Sequence, residues 1–358
     1  MRTAWRRAGT AIVATGLVAL VPATAQARTK SVTMGTPLTS QPTFQRALSD
    51  VNDFFPHGVR IHVGDKVRFV PTSFHTVNFP AKGQDPLPLI APAGTISGVN
   101  DAAGQSFWFN GQANLQFNPA LIPGLYGKKV TFKAAKGLES GLPLSNAPRP
   151  FTVKFAKAGK YTYFCNVHPG MKGTVTVLKK SKRIATAKQD RKSVKAQVKR
   201  DLKIAKALPK QNVPAGTIDV GNSGPHGVEY FGMLPGTLTV PVGTTLNFRM
   251  GKVSFDVHTA TFGPGDPERD PASYLGQLSA SFQGTSLDQR AVYPSESPGT
   301  TGTLTPTLHG NGFWNSGIMD NNSASPLPSS NRVTFGAPGT YNYYCMIHPF
   351  MHGVINVQ

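Results

Sequence analysis

Cysteine is almost absent: Cys165 and Cys345 are the only two in 358 residues. No two histidines are spaced His-x-His, and the residues before the cysteines are Phe164 and Tyr344 rather than histidine. Acidic side chains are few, 17 against 37 Lys and Arg. Outside the N-terminus no segment is apolar enough to cross a bilayer. Each shortage excludes something. Two cysteines allow one disulfide at most, which rules out a disulfide-built scaffold. No cysteine lies near the cleavage site of the N-terminal segment, which argues against a lipid anchor. The 37 Gly and 30 Pro point to many turns, as in strands joined by long loops, rather than to helical bundles.

What is present is a repeat. Cys165-Asn-Val-His168-Pro-Gly-Met171 and Cys345-Met-Ile-His348-Pro-Phe-Met351 are both Cys-x2-His-x2-Met, 180 residues apart. Each follows an aromatic strand, Tyr161-Thr-Tyr163-Phe164 or Tyr341-Asn-Tyr343-Tyr344. Each cysteine sits beside its own His and Met at an equivalent place, so a disulfide between them is disfavoured. A thiolate, an imidazole and a thioether are soft ligands, better suited to copper than to magnesium or calcium.

The repeat extends upstream. Val59–Phe69 leads to His75, and Leu238–Phe248 leads to His258. Both stretches read as strand, glycine turn, strand, followed by alternating runs His75–Phe79 and His258–Phe262. Further strands are expected at Phe151–Phe155, Arg332–Phe335, Gly173–Val177 and Gly353–Val357. The expected fold is all-β, two Greek-key β-sandwich domains joined by a basic, partly helical linker. The divisions are residues 1–27, a secretory signal with Arg2, Arg6 and Arg7 before an apolar stretch and Ala25-Gln-Ala27 as cleavage site; 28–178, the first domain; 179–212, the linker; and 213–358, the second domain. Long insertions, about 80–148 and 264–330, separate each upstream histidine from its cysteine and carry Phe107-Trp108 and Phe313-Trp314, read chiefly as pins that hold the loops to the sandwiches.

The signal resembles one for general secretion more than a twin-arginine signal. The linker holds 13 Lys or Arg between residues 179 and 210 against Asp190 and Asp201. Val194, Val198, Leu202, Ala205 and Leu208 recur at helical spacing there, and Pro209 and Pro214 end the pattern. Its plain reading is a solvated spacer helix; its sharper one is adhesion to an anionic cell-envelope surface or an acidic partner. Export argues against nucleic acid.

His75, Cys165, His168 and Met171, and again His258, Cys345, His348 and Met351, make two sets of the kind copper uses for one-electron cycling: a trigonal His2Cys plane with a distant Met. On these residues the chain resembles two tandem cupredoxins, the blue-copper family of plastocyanin and amicyanin. The spacing on both sides of the loop histidine is closest to amicyanin. The resemblance covers about residues 52–79, 150–178, 232–262 and 331–358. The insertions depart from it, roughly doubling the usual separation of His from Cys. The resemblance implies two type 1 copper ions per chain and electron transfer to redox protein partners. It also implies that the ring edges of His168 and His348 reach the surface beside apolar patches at Pro169-Gly170 and Pro349-Phe350, and that Thr76 and Thr259 tie the ligand loops together. His57, His62, His226, His309 and His352 read as surface or loop residues, with His352 near the second copper.

Three functions compete. Electron transfer leads. An oxidase or nitrite reductase of tandem cupredoxins needs His-x-His pairs, or a His directly before Cys, and this chain has neither. Copper storage, tolerance or delivery is the third. The expected location is periplasmic, cell-envelope associated or extracellular, with no transmembrane segment after signal cleavage.

Overall fold

The computed structural model describes residues 27–145, 147–251, 254–321, 325 and 327–358. The secretory-signal reading falls on residues 1–27 and so lies almost wholly outside the described residues. Among the described residues no helix is long and apolar enough to cross a membrane.

The chain builds two β-sandwiches. In the first, one sheet runs in the order Phe54–Phe55, Thr29–Met34, Lys66–Pro71, Phe151–Phe155, Lys129–Phe132. The facing sheet runs Leu138–Glu139, Asn78–Phe79, Gly159–Phe164, Lys172–Leu178, Gly58–His62. Period-2 alternation explains the packing: Val67, Phe69, Val153, Phe155, Val175 and Val177 point inward and are buried, while Arg68, Lys154 and their neighbours face out. Phe69 stacks on Phe151 at 5.2 Å and meets Tyr163 edge-on at 5.3 Å, so the core is a layer of interlocked rings.

The second sandwich repeats this. One sheet runs Gly302–Leu304, Ser330–Phe335, Thr245–Arg249, Thr217–Gly224, Val228–Leu234, Ser49–Val51. The other runs Thr237–Val240, His352–Val357, Gly339–Tyr344, Thr261–Phe262, Trp314–Asn315. Phe248, Phe262, Trp314 and Tyr343 fill its core. The expected strands after the upstream histidines are shorter than their alternation predicts. Only Asn78–Phe79 and Thr261–Phe262 pair in the sheets. The first residues of each run turn aside because their backbone bonds to serines of the insertions: Val77 N–H to Ser140 Oγ, and Ala260 N–H to Ser316 Oγ, each 2.8 Å.

The halves are not beads on a tether. Ser49–Val51, from the first half, is the edge strand of the second domain's sheet, with Val51 opposite Val228 and Ser49 opposite Tyr230. The first insertion lies on the second half. Trp108 donates its indole N–H to Pro294 O at 2.8 Å, and Gln289 exchanges hydrogen bonds with the backbone of Leu115 at 2.9 and 3.1 Å. Phe107 and Phe109 share a buried cluster with Leu275, Leu278 and Phe313. The Phe-Trp pairs therefore do pin loops, but Phe107-Trp108 pins its loop to the other half, whereas Trp314 sits wholly within its own core.

The linker holds the helix Ala187–Ala205. A capping box starts it: Thr186 Oγ1 accepts from Gln189 N–H and Gln189 Oε1 from Thr186 N–H. Val194, Val198, Leu202 and Ile204 pack on Phe44, Phe55 and Tyr230, and Gln197 is buried with its amide donating to Asp53 and to Phe54 O. The helix is thus docked on both halves along its apolar stripe, and only its basic face is solvated.

Candidate metal centres

Two clusters of metal-binding side chains stand out among the described residues: His75, Cys165 and His168, and His258, Cys345 and His348. In the first, Cys165 Sγ lies 3.9 Å from His75 Nδ1 and 3.6 Å from His168 Nδ1, and the two nitrogens are 3.0 Å apart. In the second the same separations are 3.8, 3.7 and 3.2 Å. Both sites use Nδ1, and both turn sulfur and nitrogens toward a common centre. Bond lengths of roughly 2.0 Å to imidazole and 2.3 Å to thiolate, spread over a plane, put S and N about 3.7 Å apart. The donor sets fit an ion at that centre.

Each loop is shaped by its own backbone. Met171 N–H donates to His168 O and Cys165 N–H to Met171 O, both 3.0 Å, which closes the turn that brings sulfur and imidazole together. Met351, His348 and Cys345 repeat the pattern at 2.8 and 2.9 Å. Met171 and Met351 are buried in the same clusters as their cysteines. Burial alone would raise the Cys165 thiol; hydrogen bonding to His168 and His75 outweighs it and holds the thiol well below its ordinary range. For Cys345 burial is likewise outweighed, by His258 and His348. The thiolate, which is the metal-binding form, is therefore favoured in both sites.

Thr76 and Thr259 occupy tying positions. Each backbone N–H points at its cysteine sulfur at 3.4 Å. Thr76 Oγ1 donates to Asn166 Oδ1 at 2.6 Å and accepts from Asn166 N–H at 2.7 Å. Thr259 Oγ1 accepts from Met346 N–H at 2.8 Å and lies 3.0 Å from Thr261 Oγ1.

Sequence reasoning missed Gly35 and Gly221. Their φ values are +92° and +76°, and a Cβ there would sit 2.6 Å from His75 Nε2 and 2.5 Å from His258 Nε2. Both Nε2 atoms are buried without a hydrogen-bond partner among the described residues, so van der Waals contact with glycine backbone, rather than an acceptor, sets these rings. Both glycines follow or lie in the first strand of their domain, upstream of where the repeat is visible; their common relation to a ligand histidine appears only on folding.

One expectation is overturned. The edge of His168 does not lead to open surface, whereas His348 keeps a partly exposed side chain. His168 is 7% exposed. Its Nε2 faces Asp256 Oδ2 at 3.7 Å, and His348 Nε2 faces the same oxygen at 3.8 Å. The two sites therefore meet at the interface of the sandwiches. Phe255 closes the first one, its ring against Gly170, while Phe231 and Phe350 flank His348 at 4.8 and 6.1 Å. Of the anticipated apolar patches, Pro169 and Gly170 stay exposed although the Phe255 ring packs against Gly170, and Phe350 is 44% exposed.

The Asp256 loop is held by a buried carboxyl group. Glu229 Oε2 is bonded by Ser254 Oγ at 2.9 Å and Glu229 Oε1 by Phe255 N–H at 2.8 Å. Burial and the nearby Asp256 push Glu229 well above the ordinary carboxylate range. Asp256 is the opposite case: burial would raise it, but His348, His168 and His258 bring it down to about 2.

The remaining histidines are elsewhere. His352 is exposed, its Nδ1 3.2 Å from Phe350 O, and takes no part in the second cluster. His57 pairs with Asp53 at 2.9 Å, and His62 Nε2 lies 2.7 Å from Lys182 O. His309 is not a surface residue. It lies between Asp101 of the first insertion, 3.0 Å from Nδ1, and Glu296 of the second, 3.3 Å from Nε2.

Each sandwich thus carries one His-Cys-His cluster, and part of the chain matches a known family. Residues 47–178 match the family of copper binding proteins that includes plastocyanin and azurin. Among solved structures the chain is similar to a point mutant of amicyanin in its reduced Cu(I) form at pH 4, with 16% identity, 42% of this chain and 90% of that one covered, and a TM-score of 0.22. It is also similar to a mutant plastocyanin of fern, with 16% identity, 40% and 99% covered, and a TM-score of 0.21. No curated protein matches it.

Proposed function

We propose that the chain is an exported protein that binds two type 1 copper ions and transfers single electrons. His75, Cys165, His168 and Met171 would hold one ion; His258, Cys345, His348 and Met351 the other. The observation that carries this reading is the duplication of one Nδ1-Sγ-Nδ1 arrangement, with matching separations, in two sandwiches. Copper bound there supplies reversible one-electron oxidation and reduction, which such a donor plane supports without large rearrangement.

The protein's part is to hold that geometry. The loop turns place sulfur and the second imidazole, and the distant strand supplies the first. Thr76 and Thr259 lock loop to strand, and the buried surroundings keep water from the sulfur. Substrate chemistry is disfavoured by the lack of His-x-His pairs and by Phe164 and Tyr344 before the cysteines.

The N-terminal segment supports export to the periplasm, envelope or exterior. The exposed face of the helix, with Lys188, Arg191, Lys192, Lys195 and Lys199, fits an anionic envelope surface; binding to envelopes that does not weaken with salt would remove that part. Copper loading tests the main reading. Two ions per chain with intense visible absorption support it, and oxygen consumption or nitrite reduction at enzymatic rates would replace it with catalysis.

A further inference from the structure

We propose that Asp256 joins the two centres into one coupled pair, its Oδ2 facing the Nε2 atoms of both His168 and His348 as a shared negative charge. This rests on the copper reading above and goes beyond it. The carboxylate is buried, 7% exposed, and its other oxygen already accepts Val257 N–H at 2.9 Å, which leaves Oδ2 to the two imidazoles at 3.7 and 3.8 Å. A carboxylate charge facing Nε2 favours the ring orientation in which Nδ1 binds metal and strengthens Nδ1 as a donor. Here one carboxylate does so for two sites.

The position is built. Glu229 fixes Ser254 and Phe255, Phe255 packs on Gly170, and Ser254 Oγ accepts Asp256 N–H at 2.9 Å. Glu229 lies on the strand that pairs with Ser49–Val51, so the element that aims Asp256 is also the seam between the halves. The equivalent position in the first half, two residues before His75, is Ser73, so there is one bridge and not two.

Two consequences follow. A negative charge beside both ligand histidines stabilises the oxidised ion in each, so Asp256 lowers both reduction potentials. With copper bound at both sites, the shared carboxylate would also leave only two short through-space contacts between the ligand histidines, a path by which the reduced ion of one centre reduces the oxidised ion of the other with no covalent bond made or broken and no net proton moved.

The test uses the full chain with copper in four forms: Cys345→Ser, which keeps only the first centre, and Cys165→Ser, which keeps only the second, each with and without Asp256→Asn. The near-isosteric amide keeps the packing while removing the charge. The expected result is a higher reduction potential in both single-centre proteins on Asp256→Asn, with the visible band of each retained. A shift in only one centre, or in neither, overturns the bridge. In the two-copper protein, electron exchange between centres after pulsed one-electron reduction should slow at least tenfold on Asp256→Leu, and unchanged exchange overturns the path. Should Asp256→Leu not fold, the Asp256→Asn potentials still decide. A wild-type protein that binds copper without a blue band instead removes the copper reading, a result distinct from blue centres indifferent to Asp256.

Discussion

The two candidate metal sites share a plan but not surroundings. Sulfur-to-nitrogen separations agree within 0.1 Å between them, yet the first site is buried under the second half and the second keeps an exposed phenylalanine, Phe350, beside its histidine. Thr76 makes two bonds to the side chain and backbone of Asn166, while Thr259 holds only the backbone of Met346 and is steadied by Thr261. Tyr126 of the first insertion donates to His75 O at 2.9 Å, whereas the chain at His258 bridges to Met319. Metal-facing geometry is thus specified locally and repeats with the motif. Everything around it is specified by what each half packs against, and that differs. If electrons enter from outside through a histidine edge, the side of His348 and Phe350 is the open one.

The largest expected effect separates the sites outright. Cys165→Ser and Cys345→Ser should each abolish one blue centre and leave about half the visible absorption at full copper loading; loss of all colour from either change would mean that the sites are not independent binding units. Next are Gly35→Ala and Gly221→Ala. Left-handed backbone costs a non-glycine residue about 1–2 kcal/mol, and the new methyl would strike His75 or His258. Copper affinity should fall at least tenfold, each substitution acting on its own site in a competition titration, and unaltered affinity would show that the glycines do not set the rings.

Thr76→Val should weaken the first centre more than Thr259→Val weakens the second, because it breaks the bond to Asn166 Oδ1 as well as the backbone bond. Equal losses would remove that distinction. Trp108→Ala should cost about 2 kcal/mol in thermal or denaturant unfolding and expose the first insertion to protease, with both blue bands kept.

The smallest effect is on pH dependence. Burial would lower His309, but bonding to Glu296 and Asp101 raises it above 6.5 in the folded state. A raised histidine contributes stability fully at pH below its unfolded value, and the contribution fades as pH rises through the folded one. His309→Gln should therefore flatten the stability profile just above pH 6.5, leaving the profile at higher pH unaffected.

Much of this was legible in the chain. The His-Cys-His clusters were readable because the cysteine and one histidine share one loop and the other histidine follows an alternating strand. The sandwiches were readable from period-2 burial. What escaped was non-local. Asp256 has no partner in the repeat, and nothing in Phe255-Asp256-Val257 marks it as a meeting point for His168 and His348, 88 residues upstream and 92 downstream. Composition marked the insertions as loops, yet they supply edge strands and the serines that hold the histidine segments. The linker periodicity showed an apolar stripe without showing that both halves would cover it.

The central claim is that two equivalent thiolate-imidazole sites each hold a type 1 copper. The visible absorption spectrum of purified protein titrated with Cu(II) tests it most directly. An intense blue band that grows linearly and saturates at two ions per chain is predicted; a protein that takes up two copper ions and stays colourless would contradict it.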